Sequence, residues 1–153
     1  MMSRVQKGLI AGVAATAVVS VMEAINILVL KWFAPFPLIV SNILGLGRDL
    51  TVGWGIHIAV GILILGPLFG YLLPRLPTDT PETKGIVFAV GAFIVLLLGF
   101  LFLAPNGALG RSFATIGWML ATNAVFGIVL GNVYARLTAR DRAHDLDHAA
   151  PAH

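Results

Sequence analysis

The sequence predicts an all-α integral membrane protein, a bundle of four transmembrane helices. Three observations lead there. Hydrophobic residues make up 58% of the 153 positions and charged residues 11%, whereas a soluble domain carries about 25% charged residues. Four apolar stretches approach or exceed the roughly 20 residues a helix needs to cross the hydrocarbon core. None shows the alternation of barrel strands, and in lipid only helices and closed barrels satisfy every backbone group. The same arithmetic excludes a water-soluble fold and a disordered chain. With no cysteine, a disulfide scaffold, a thiolate metal site and a cysteine nucleophile are excluded too.

The first apolar stretch runs from Gly8 to Leu30 and stops before Pro35 and Pro37. It exceeds the apolar region of a signal peptide and carries Glu23 inside, so it reads as a retained helix. Residues 31–51 form a long connection. Its segment Phe36-Pro-Leu-Ile-Val-Ser-Asn-Ile-Leu-Gly-Leu-Gly is apolar but too short to span, which predicts a short outer interfacial helix between the first two spans. The second span covers Val52–Leu73 and is closed by Pro74, Pro77 and Pro81. The third covers Gly85–Ala104 and stops at Pro105, Asn106 and Gly107; the fourth covers Phe113–Ala135. Residues 1–137 are thus one four-helix transmembrane domain. Residues 138–153, with mixed charge, read as a flexible cytoplasmic tail.

Basic residues set the orientation. Arg4, Lys7, Arg75, Lys84, Arg136, Arg140 and Arg142 fall on one side of the bundle, and Lys31, Arg48 and Arg111 on the other. That asymmetry predicts both termini in the cytoplasm. It also accounts for the excess of bases without a nucleic-acid partner, since such residues contact headgroups. The two halves share marks that suggest a parallel two-helix repeat. Lys7-Gly8 matches Lys84-Gly85, Gly53-Trp54 matches Gly117-Trp118, and His57 and Gly61 match Asn123 and Gly127.

Small residues four apart let helices approach closely in lipid. Gly8 and Gly12, Gly66 and Gly70, and Gly127 and Gly131 have that spacing, which predicts helix packing within the chain. Polar residues gather nearer the outer ends. Thr16, Ser20 and Glu23 share one face of the first helix, and Asn26 continues it. A buried carboxylate needs a partner. His57 at a similar depth offers one, and Asn123 lies near enough in the sequence pattern to join. The cluster Glu23, Asn26, His57 and Asn123 reads either as a fastener between helices or as a proton-relay, quinone-contacting or ion site. One His and one Glu fall short of a metal ligand set, and a lone membrane histidine falls short of a bis-histidine haem, so no metal or cofactor is expected. His144, His148 and His153 read as solvated tail residues. Trp32, Trp54, Trp118, Tyr71 and Tyr134 read as interfacial belts. No phosphate-cradling loop, nucleophile elbow or HExxH motif is present, which argues against an autonomous enzyme.

The pattern Lys7-Gly8, Gly53-Trp54-x-x-His57-x-x-x-Gly61, Lys84-Gly85 and Gly127-x-x-x-Gly131-x-x-Tyr134 resembles a family of uncharacterised small four-helix bacterial membrane proteins. Some members are associated with haem–copper oxidases. The resemblance spans roughly residues 5–137 and implies a multi-pass protein of the bacterial cytoplasmic (inner) membrane. It departs at Asn123, where a histidine would be expected. The function it implies is that of a non-catalytic accessory subunit of a membrane complex, with a respiratory terminal oxidase as the foremost candidate. The alternative is a small oligomeric transporter or channel with an outward-facing polar pocket. The expected partners are the lipid bilayer and other membrane subunits or a second copy, with no nucleic acid. The readings divide on the outer helix faces: a subunit keeps small-residue pairs unused by internal packing, whereas a transporter needs a continuous polar path.

Overall fold

A computed structural model of the protein describes residues 2–103 and 113–149. Among them, every regular element is a helix. Helix α1 spans Arg4–Leu30, α2 Phe36–Ile43, α3 Leu50–Arg75, α4 Pro81–Leu103 and α5 Phe113–Ala149. The four long helices are apolar and long enough to cross a membrane. The short helix expected between the first two is α2. Pro105, Asn106, Gly107, Arg111 and His153, and the side chain of His148, lie outside the described residues.

Helices α1, α3 and α4 each begin before their apolar run, because polar residues cap their first turns. Ser3 Oγ accepts from Gln6 N at 3.2 Å while Gln6 Oε1 accepts from Ser3 N at 2.8 Å, a reciprocal capping box. Asp49 Oδ1 accepts from Thr51 N at 2.8 Å and Val52 N at 3.2 Å at the start of α3. Thr80 Oγ1 accepts from Thr83 N at 3.3 Å at the start of α4.

Two helices widen near the cluster of polar residues. Helix α1 ends in a π-helical turn, Asn26–Leu30, closed by Lys31 in the left-handed region at φ 55°. Helix α3 is π-helical over Val60–Leu65 and returns to α geometry at Gly66. Pro67 follows directly. It has no N–H for the preceding turn, so the regular ladder must break there.

Helix α1 is central and packs on α3 and α5; α4 packs on α5, and α2 on α3. The main core lies toward the termini. It joins Ala11, Ala15 and Val19 of α1 to Phe69 of α3, Phe88 and Ala89 of α4, and Phe126, Leu130 and Tyr134 of α5. Phe69 meets Phe88 at 5.3 Å and Tyr134 at 5.6 Å. A smaller cluster of Ile39, Phe93 and Met119 sits at the opposite end.

Helix α5 runs on past the last span to Ala149. One reason is local pairing. Asp141 Oδ2 lies 2.9 Å from Lys7 Nζ and accepts from Met2 N at 3.0 Å, tying the extension to the start of α1. Asp141→Asn should therefore speed amide exchange around residues 138–144 and leave the spans protected. High salt should reproduce a small part of that effect in the unsubstituted protein, because a partly buried ion pair is screened less than an exposed one. Hydrogen–deuterium exchange in detergent reads both, and unchanged exchange would remove this role.

Candidate functional site

The polar face of α1 delivers Thr16, Glu23 and Asn26 to the buried interior, where each is at most 4% exposed. Glu23 receives donors from both of its neighbours in space. Its Oε1 accepts from Phe36 N, in the first turn of α2, at 2.9 Å. Its Oε2 accepts from Trp118 Nε1 of α5 at 3.0 Å. Asn26 Nδ2 adds a longer contact to Oε1 at 3.4 Å. The carboxylate thus caps α2, where the helix dipole favours negative charge, and joins three helices.

Asn26 is a clasp. Its Oδ1 accepts from Phe33 N and its Nδ2 donates to Phe33 O, both at 3.2 Å. That folds the connection after α1 back on the helix and holds the Phe33 ring parallel to Trp118, with centroids 4.9 Å apart and planes 9° apart. Ala34 N donates to Thr115 Oγ1 at 3.3 Å, fixing the same connection to α5.

His57 takes no part in this network. Among the described residues no hydrogen bond or ion pair joins it to Glu23. Its ring meets Phe36 and Trp54 edge-on, each at 5.6 Å, and its Nε2 is buried without a partner. Asn123 turns to its own helix, donating from Nδ2 to Met119 O at 2.8 Å. Glu23, His57 and Asn123 nevertheless share one feature. All three line a partly open cavity of about 300 Å³ at the end of the bundle away from the termini. The rest of its wall is largely apolar, including Phe36, Phe93, Leu96 and Phe126. Thr16 also lines it; its Oγ1 is packed against Gly61, buried and without a partner. Among the described residues, no three His, Cys, Asp or Glu side chains come together.

The residue that sequence reasoning missed is Trp118. As a belt residue it needs no partner; here its indole N–H is Glu23's principal side-chain donor. The available signal was a tryptophan on the last helix near the height of a buried glutamate, since a buried indole N–H must also find an acceptor.

The glycine pairs lie below the cavity, where backbones touch. A Cβ added to Gly8 would overlap the Gly66 carbonyl, and one on Gly70 the Arg4 carbonyl. At Gly12 it would sit 3.0 Å from both Gly61 O and Gly66 Cα. The α4–α5 contact has the same form: Gly127 abuts the Gly85 carbonyl and Gly131 the Pro81 carbonyl. Gly53 abuts Pro37 O, seating α2 on α3.

These features define a class: a helical protein with four helices long and apolar enough to cross a membrane, glycine-mediated helix contacts and a mainly apolar cavity among its helices. The chain belongs to DUF6789, a family of unknown function, which matches residues 2–145. No curated protein and no solved structure matches it.

Proposed function

We propose that this protein is a non-catalytic accessory subunit of a membrane complex in the bacterial cytoplasmic membrane, with both termini in the cytoplasm. A respiratory terminal oxidase is the first candidate for the complex. The observation that carries the subunit reading is what remains after internal packing. Gly55 and Ala59 on α3, and Gly117 and Ala121 on α5, are exposed pairs four apart, and an added Cβ at either glycine meets nothing within 4 Å. Such pairs let a further helix approach closely. Only 22–28% of the most apolar window of each span is buried within the chain, which leaves ample apolar surface for neighbours. The equivalent contacts Gly8–Gly66 with Arg4–Gly70, and Gly85–Gly127 with Pro81–Gly131, support a two-helix repeat as the origin of the bundle. The oxidase assignment rests on the sequence resemblance alone; the family match carries no link to haem–copper oxidases.

The cavity favours the alternative, an oligomeric transporter. Against it, the bundle between the cavity and the termini is filled by a core that includes Phe69, Phe88 and Leu130, all buried, and no polar path crosses that core among the described residues. Extraction in mild detergent, capture, and mass spectrometry with a visible spectrum separate the two. Retained partner subunits, with haem bands for an oxidase, are the expected result. Gly55→Leu or Gly117→Leu should then reduce partner recovery severalfold with unchanged thermal unfolding. A colourless homo-oligomer without partners would overturn the subunit reading.

A further inference from the structure

We propose that a second, basic concavity, at the end of the bundle where α1 and α4 begin, binds the phosphate headgroup of an anionic phospholipid. The inference stands on this concavity and does not require the subunit reading. Charge comes first. Arg4 and Lys7 of α1, Lys84 of α4 and Arg142 of α5 line it, against one acid, Asp79. Lys7 is already matched by Asp141 at 2.9 Å. Among the described residues Arg4, Lys84 and Arg142 have no ion pair, so four bases against two acids leave two positive charges. Lys7 and Lys84 hold equivalent places, each directly before the glycine at which its helix meets a neighbour, yet only Lys7 has an acid beside it. Lys84 is half-buried, and a cation held partly out of water gains from a partner. Arg4 and Pro81 are the first residues of α1 and α4, so the positive ends of both helix dipoles lie beside the concavity and also favour an anion.

Position and shape then select a lipid over a soluble anion. Leu73 and Pro74 at the end of α3, and Tyr134 and Ala135 of α5, line the same concavity. They stand where the apolar runs of the second and fourth spans finish, the level of the headgroups for helices of this length. Basic pockets between spanning helices at that level hold anionic headgroups. The volume is about 500 Å³, within the range of small-molecule sites, and a free phosphate ion would leave most of it empty. The apolar part of the wall suits the glycerol and first carbons of a lipid and offers nothing to inorganic phosphate.

Native mass spectrometry of the full chain in detergent tests this, with equimolar dioleoyl phosphatidylglycerol and dioleoyl phosphatidylcholine added. The two lipids share acyl chains and differ in headgroup charge. The anionic lipid should bind at least about tenfold tighter, since each cation beside an anionic headgroup gives roughly a fivefold gain. Lys84→Gln should lower that preference about fivefold, and Lys84→Arg should keep it. Asp79→Asn removes the acid from the concavity and should raise the preference, a gain that misfolding cannot produce. Arg136→Gln removes an exposed cation from the same end of the bundle that does not line the concavity, and should leave the preference unchanged. Three results would overturn the proposal. Equal binding of the two lipids would remove the site. A preference that falls as far with Arg136→Gln as with Lys84→Gln would reduce it to diffuse attraction by a basic surface. Displacement of the lipid by millimolar inorganic phosphate would make it a site for a soluble anion.

Discussion

Glu23→Ala should destabilise the protein by about 2–5 kcal/mol, since it strands the Phe36 amide and the Trp118 indole N–H, and each buried unsatisfied donor costs about 1–3 kcal/mol. Removing the carboxylate also removes its own desolvation cost, which keeps the loss at the lower part of that range if water enters the gap. Glu23→Gln keeps one acceptor oxygen but sets an amide donor against one of the two N–H groups. It should cost about 1–3 kcal/mol, the price of one buried donor left facing another. His57→Phe should sit near zero or be slightly stabilising, because Nε2 has no partner to lose. Trp118→Phe should resemble Glu23→Gln, and the double variant should cost less than the two added together, since they share one hydrogen bond. Thermal unfolding in detergent, followed by tryptophan fluorescence, measures the series. If His57→Phe proves as damaging as Glu23→Ala, the carboxylate's working partner is the histidine and the arrangement drawn here is wrong.

That series also marks how far the sequence could be read. The four spans and the short helix are legible because apolar length and proline punctuation are local properties. Glycine spacing is legible for the same reason: Gly8 with Gly12, and Gly127 with Gly131, declare close contact wherever their helices turn. What spacing cannot supply is the identity of the partner across a gap. Glu23 and His57 stand at compatible heights, and a carboxylate with an imidazole is the obvious pairing. The choice fell instead to the connection after α1. Asn26 pulls Phe33 back, Phe33 stacks on Trp118, and this brings the indole N–H to Oε2 while α2 brings the Phe36 amide to Oε1. None of those contacts has a sequence period. The π-helical turns are equally invisible to a 3.6-residue pattern, although Pro67 marks where one of them must resolve. The cavity is less legible still, since it is defined by what the side chains of all five helices leave unfilled.

The glycine contacts give the other large effect. Gly127→Leu should cost more than about 3 kcal/mol, the upper end of ordinary overpacking, and in the membrane it should separate α4 from α5. Its Cβ would meet the Gly85 carbonyl carbon at 2.6 Å and the Ile86 amide at 2.8 Å. These are backbone atoms, which cannot swing aside as a long side chain would. The side chain beyond Cβ has still less room. Gly85→Leu should be equally severe, for its Cβ lies on the Gly127 carbonyl. Because the two substitutions break the same contact, the double variant should be far from additive: once the helices have parted, the second leucine costs little. Gly91→Leu provides the contrast. It lies on α4 as Gly85 does, is exposed, and an added Cβ meets nothing within 4 Å, so its effect should stay within about 0.5 kcal/mol. A cysteine crosslink between α4 and α5, scored before and after mild heating, reports whether the pair has separated. A crosslink that survives in Gly127→Leu would mean that the backbones do not meet there, and the small-residue account of this bundle would have to move to another interface.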